Sequence, residues 1–247
     1  MARGWGATVL RTRPVRDDLE AVVTALRAAE ADLVVTVGGA SVGDHDLVRA
    51  AAETLGLSLK VASVAVRPGK PTFFGVLGDG RRLLGLPGNP ASAFVCAELF
   101  LKPILDACQG AAESFATRSA RTAVPLEVNG PREHWMRARL DVEDGVLTVR
   151  PYGDQDSSLV SIFAGADALL RRAPDAPAAA AGETVEVLPL RRARRRAMIS
   201  PIPETATSQG ALPPISRPMG ACSRAIAVSS TPKARRRSNR SGRRARA

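Results

Sequence analysis

The run Leu33-Val34-Val35-Thr36-Val37-Gly38-Gly39-Ala40-Ser41-Val42-Gly43-Asp44-His45-Asp46 decides how this chain folds. Its first five residues are apolar or β-branched with almost no polar interruption, the pattern of a parallel strand covered on both faces. The segment passes directly into glycines, which let the backbone turn tightly and come close to a ligand. A helix is expected from about Asp46 to Leu55, with Gly56 as its C-cap. Upstream, Ala7 to Leu10 reads as a short strand. Asp17 and Asp18 then open a helix whose apolar positions Leu19, Val22, Val23 and Leu26 keep a helical period. Downstream, Leu59 to Val66 reads as a strand, and Thr72 to Leu77 with Arg82 to Leu86 as a hairpin about Gly78-Asp79-Gly80. Asn89 is placed to cap, and Pro90 to start, a buried helix over Ala93 to about Leu105. Together these elements predict an α/β fold ending near Gly110.

From Ala123 the pattern changes to short β segments at Ala123 to Val128, His134 to Leu140, Val146 to Arg150, Ala168 to Arg172 and Thr184 to Leu188, which predict a small β domain. The chain is thus divided at 1–110, 111–190 and 191–247. Residues 191–247 hold 15 of the 35 Lys and Arg residues and a single acid, Glu204, so this stretch carries +14 while the rest carries −3. The basic isoelectric point therefore says nothing about the body's substrate. Without periodicity or aromatic residues, and self-repelling, the tail is expected to be disordered and dispensable. Its Arg, Ala, Pro and Ser bias also fits translation of a shifted reading frame, and any nucleic-acid contact it makes is incidental. No apolar stretch approaches the roughly 18 residues that cross a bilayer, and no targeting segment follows Met1, so a cytoplasmic protein without membrane contact is expected. Cys96, Cys108 and Cys222 form no CxxC pair and the histidines are only His45 and His134, which excludes a disulfide framework and a structural zinc site. Cys96 and Cys108 read as buried, inert thiols.

Three loops carry residues suited to chemistry, and each follows a strand, at whose carboxyl end an open α/β sheet collects its ligands. The first offers Gly38, Gly39, Gly43, Ser41 and the carboxylates Asp44 and Asp46: either an anion cradle at a helix start or a tight strand-to-helix turn. Its Gly39-Ala40-Ser41-Val42-Gly43 also matches the hydrolase elbow, but only about 40 residues precede it, and His134 would have to complete a triad from the second domain, so that reading is set aside. The second loop holds Arg67 and Lys70 on a backbone stiffened by Pro68 and Pro71, which suits an oxyanion; a basic surface turn is the alternative. In the third, Pro87 and Pro90 fix the backbone while Gly88, Asn89 and Ser92 present donors at a helix start; simple helix initiation is the alternative.

In this order and spacing, GGASVGDHD (Gly38 to Asp46), RPGKP (Arg67 to Pro71) and GLPGNPAS (Gly85 to Ser92) resemble the molybdopterin molybdenumtransferases, including the E domain of gephyrin, over about Gly6 to Leu190. The resemblance implies a three-layer molybdopterin-binding domain followed by a small β barrel. It implies the insertion of molybdate into adenylylated molybdopterin, with magnesium, releasing AMP and the molybdenum cofactor. On it, Asp46 and an upstream aspartate, Asp18 or Asp17, serve magnesium, whose hard-oxygen preference suits two carboxylates. Arg67, Lys70 and Pro71 match the molybdate loop, where the family usually has Lys at the first basic position. Ser92 matches the serine ending the third motif, Arg137 an arginine of the same anion site, and Ser158 a serine there, or else a helix cap. Lys70, Asp46 and Arg137 are the implied catalytic residues. Gly38, Gly39, Ser41, Gly43, Pro87, Gly88, Asn89 and Pro90 line the substrate.

The family also carries two earlier domains, and its α/β domain opens with a strand, a Gly-Asp-Glu loop and a helix. This chain is expected to start after them, and a homodimer partner supplies one wall of the family's cleft. The stand-alone adenylyltransferase of the same pathway shares the α/β fold but lacks the RPGKP loop and the barrel. The other reading is a non-catalytic fragment that binds an anion or a pterin without turnover.

Overall fold

A computed structural model describes residues 1–11, 13–39, 47–111, 116–155, 165–190 and 224–229. After a 3-10 turn at Ala2–Trp5 come β1 (Thr8–Arg11), α1 (Leu19–Arg27), β2 (Leu33–Val37), α2 (Leu47–Glu53), β3 (Ser58–Val61), β4 (Val66–Arg67), β5 (Phe73–Val76) and β6 (Arg82–Leu86). A helical stretch follows as α3 (Pro90–Cys96), a π segment (Ala97–Leu101) and α4 (Lys102–Cys108). Then come β7 (Arg118–Thr122), β8 (Glu133–Glu143), β9 (Val146–Pro151), β10 (Ala168–Arg172), β11 (Thr184–Pro189) and β12 (Arg224–Ser229).

The first sheet has the order β1-β12-β2-β6-β5-β3. Along β2 the side chains alternate between two cores, as a strand's period of two requires. Val34 packs with Val22 and Leu26 of α1 and with Val48, Ala51 and Ala52 of α2, whereas Leu33 and Val35 pack with Cys96, Ala97, Leu101 and Leu105. Asp18 starts α1 by accepting the Ala21 N–H on Oδ1 at 2.9 Å. The β5–β6 hairpin closes with Leu77 N–H to Arg81 C=O at 2.8 Å. Arg81 pairs with Asp79 at 2.6 Å and donates to Leu26 C=O, which fastens the turn to the end of α1. The single helix expected over Ala93 to Leu105 contains a π segment ahead of Pro103, whose ring nitrogen has no hydrogen to continue the α ladder.

Strands β7, β8, β9, β10 and β11 close into a five-stranded barrel through the pairing of β10 with both β11 and β8. Its core holds Ala120, Ala138, Val149, Ala168, Leu170, Val185 and Val187. The strand expected at Ala123 to Val128 lies earlier, at Arg118–Thr122, because Pro125 has no N–H for a ladder, and Leu126 makes one bridge with Ala179 instead. The strand expected over Leu59 to Val66 divides: β3 stays in the first sheet, and β4 leaves it to pair with β8 of the barrel.

The tail requires a correction. Residues 224–229 form a parallel strand inserted between β1 and β2, in register with Thr8 to Arg11 on one side and Leu33 to Val37 on the other. Ala225-Ile226-Ala227-Val228 is a short apolar run of small and β-branched residues. Averaging it into the charge of the whole tail hid its capacity to pair. The remaining tail residues lie outside the described ones. Among the described residues, no helix is long and apolar enough to cross a membrane.

Candidate functional site

Because β1, β12, β2 and β6 run parallel, β1, β2 and β6 all end on one edge of the sheet. β5 is antiparallel to β6, and its first residue, Phe73, stands opposite Gly85, so the preceding RPGKP loop reaches the same edge. The first and third loops touch: Gly38 N–H donates to Leu86 C=O at 3.2 Å, and a Cβ added to Gly88 would lie 3.2 Å from Gly38 Cα. Gly38 and Gly39 hold φ of 86° and 71°, a left-handed turn that a side chain would oppose.

The RPGKP loop is fixed from beneath. The Thr72 N–H donates to Gly69 C=O at 2.9 Å, and the buried Thr72 hydroxyl bridges that oxygen at 2.8 Å and Cys96 Sγ at 3.2 Å. Val64 N–H donates to Lys70 C=O at 3.1 Å, closing the base of the loop, and Arg67-Pro68 is a cis peptide. Gly69 has φ 134° and sits against Cys96, so that a Cβ there would lie 2.3 Å from the sulfur. Burial pushes the Cys96 thiol up to about 11, so it remains protonated at neutral pH. Cys96 belongs to α3, the helix that the third loop begins, and thereby seats the second loop on the third. Lys70 and Arg67 remain exposed above this floor, and Pro71 is half-buried.

Asn89 occupies the N-cap position of α3 with Pro90 following it, as expected, but its side chain caps nothing. Its Oδ1 is buried with no hydrogen-bond partner among the described residues. Pro87 and Ser92 are buried beside it, and Gly88 is exposed. Asp18 is exposed on the same edge, since α1 follows β1 there, with Oδ1 engaged as the helix cap. Ser41, Gly43, Asp46 and Ser158 lie outside the described residues. Among the described residues no group of three or more His, Cys, Asp or Glu is placed to hold a metal.

The barrel joins this edge through β4. Arg67 pairs with His134 across the β4–β8 ladder, rather than with Arg137 three residues further along. Arg137 is 1% exposed; its backbone N–H and Nε donate to Gln155 Oε1 at 3.0 and 3.3 Å, and Gln155 Nε2 donates back to Arg137 C=O. It shares its face of β8 with Trp135, which packs on Val95 and Leu99, so this face is turned toward the helix that the third loop starts. Burial first, then the charges of Arg67, Arg137, Arg132 and Arg172, lower the His134 imidazole to about 4. Thr72, Cys96, His134 and Gln155 escape the sequence reading as site residues. Thr72 alone carried a signal, a hydroxyl directly after the basic loop.

Two family models match the chain: "Probable molybdopterin binding domain" over residues 1–107 and "MoeA C-terminal region (domain IV)" over 119–190. Both regions thus give a family-level match to MoeA. The chain is 33% identical over 190 residues to a molybdopterin molybdenumtransferase of Bacillus subtilis, covering 75% of this chain and 44% of that protein. With one from Staphylococcus aureus it is 31% identical over 191 residues, 76% of this chain and 45% of that one. A crystal structure of a molybdopterin biosynthesis MoeA protein from Pyrococcus horikoshii superposes with a TM-score of 0.59 at 29% identity, over 71% of this chain and 42% of the other. The chain thus spans less than half the length of these MoeA relatives, and the part it spans holds the three loops and the barrel.

Proposed function

We propose that this chain carries the molybdate- and pterin-handling part of a molybdopterin molybdenumtransferase, inserting molybdate into adenylylated molybdopterin with release of AMP. The observation that supports this best is the convergence of the three loops on one sheet edge, with Cys96 seating the second on the third. Lys70 and Arg67, exposed on a loop whose backbone is held by Thr72, offer two positive charges to an oxyanion without having to order the chain first. Arg137, held by Gln155, adds a third positive charge on the barrel face turned toward α3. Gly38, Gly39 and Gly88 keep the floor free of side chains where a flat ring and a phosphate would approach, beside Pro87, Pro90 and Ser92; the resemblance adds Ser41, Gly43 and Ser158 as substrate residues. Asn89 Oδ1, which has no partner among the described residues, fits the amino and amide N–H groups of a pterin, because a buried acceptor without a donor is costly until a ligand supplies one.

Asp18, with Asp46, fits magnesium through hard carboxylate oxygens, Asp18 accepting its helix cap on one oxygen only. When bound, that ion would neutralise charge on the phosphates. A homodimer, as in the family, would complete the cleft. A second reading is a binding module that holds an anion or a pterin without turnover. AMP release from adenylylated molybdopterin, molybdate and magnesium, compared between the chain and its Lys70→Ala variant, tests the first reading. AMP release that Lys70→Ala abolishes supports it, whereas absence of turnover with molybdate still bound supports the module.

A further inference from the structure

The helix that follows the first loop holds both flanks of the second. Arg49 stands in α2, three residues after Asp46, with which the first loop ends. Its Nη2 donates to Ala62 C=O at 2.7 Å, and its Cζ lies over the Phe73 ring, 5.1 Å from the centroid. Ala62 precedes the RPGKP loop and Phe73 follows it. One guanidinium thus reaches the chain on each side of Arg67 to Pro71.

Both contacts bear on the loop through short paths. Ala62 is exposed and lies just past the end of β3, so the Arg49 bond, rather than a sheet ladder, holds its carbonyl. Two residues further on, Val64 N–H donates to Lys70 C=O at 3.1 Å, and Ala65 C=O then accepts the Glu133 N–H at 3.0 Å as the chain leaves for the barrel. On the other flank Phe73 is fully buried, and its ring fills the space that Gly85 leaves by lacking a side chain, 2.0 Å from where a Cβ would stand. Phe73 adjoins Thr72, whose hydroxyl and N–H both hold Gly69 C=O. Arginine suits this double contact. Its planar guanidinium can lie on an aromatic ring while an N–H donates to a carbonyl, whereas a lysine ammonium is a point charge on a flexible stem.

We propose that Arg49 is a positioning residue for the chemistry of this sheet edge: from the helix begun by the first loop it sets the place of the second, so that Lys70 and Arg67 stand at a fixed distance from whatever the first loop binds. Its part in the reaction rests on the function proposed above, but its hold on the loop does not.

Amide hydrogen exchange and molybdate calorimetry on the full chain test this with Arg49→Met, which keeps an unbranched stem and removes the charge, and with Arg49→Lys. Arg49→Met is expected to lower the protection of the Val64 and Thr72 N–H groups by at least about tenfold more than that of the β6 amides, which report opening of the whole sheet. Molybdate affinity is expected to fall at least about fivefold, because the loop must then be ordered as the anion binds. Arg49→Lys, the milder change, recovers part of both and carries the comparison if Arg49→Met does not fold. Val48→Ala, in the same turn of α2 but buried in the core, lowers all protection alike and leaves molybdate affinity unchanged. Equal losses at the loop and at β6 in Arg49→Met overturn the proposal by giving Arg49 a general role in stability. Selective loss at the loop with molybdate affinity unchanged overturns it too, by making the contact structural only. A parent that binds no molybdate overturns the proposed function, whereas selective loss of protection there still upholds the grip of Arg49 on the loop.

Discussion

Replacing Gly69 by Ala tests whether the RPGKP loop is seated on Cys96 as the geometry requires. Two costs are combined there. The φ of 134° is a conformation that L side chains rarely adopt, which costs on the order of 1–3 kcal/mol. The new methyl would lie 2.3 Å from Cys96 Sγ, and overpacking of this kind costs about 1–3 kcal/mol. Because α3 holds the sulfur, the loop rather than the helix yields, and Lys70, the next residue, moves with it. Gly69→Ala should therefore lower stability by roughly 3 kcal/mol and weaken molybdate binding. Cys96→Ala alone removes a buried sulfur and its contact with Thr72, at a cost of about 1 kcal/mol. In the double variant the steric part disappears while the φ cost remains, so its loss should be smaller than the two single losses added, by about 1–2 kcal/mol. Urea midpoints at constant slope measure the four stabilities, and calorimetry follows molybdate. Strict additivity of the two changes would refute the seating of the loop on the sulfur.

Two further outcomes follow from particular residues. His134, lowered to about 4 in the folded chain against 6.5 unfolded, binds its proton first in the unfolded state. Its contribution to stability is thus complete above about 6.5 and declines as pH falls toward about 4, by on the order of 2–3 kcal/mol. Urea midpoints across that range should show a slope in chloride that His134→Gln flattens, and an unchanged slope would rule out the buried neutral imidazole. In β12, Ala227→Pro removes an N–H from a strand paired on both sides, at a cost on the order of 2–4 kcal/mol, and the melting temperature should fall by roughly 5–15 °C. A melting temperature equal to the parent's would show that the tail is dispensable after all.

The elements legible in the sequence were those whose signal is local. The unbroken apolar run at Leu33 to Val37, the Gly78-Asp79-Gly80 turn and the aspartate before Leu19 each state their structure within a few residues, and the structure agrees with them. The three loops were legible for the same reason, since strand order alone places them on one edge. What escaped depends on contacts between distant segments. Nothing near Cys96 indicates that it will meet Gly69, and nothing in Val66-Arg67 indicates that two residues will desert one sheet for another and set Arg67 beside His134. Asn89 is a partial case: the N-cap position was correctly read, but the use of the side chain was not, because a capping residue is recognised by type and its rotamer is set by neighbours.

The place of β12 bears on how the molecule is made. During synthesis β1 and β2 leave the ribosome early, each with a bare edge where the strand between them is still to come, and that strand is translated only after the whole barrel. The barrel can close while the first sheet waits, because its five strands come from one contiguous stretch of chain. Pairing so distant in sequence is slow, and unpaired strand edges invite association with other chains in the interval. A newly made copy of this protein would need shelter for β1 and β2 at the stage when its barrel is already complete.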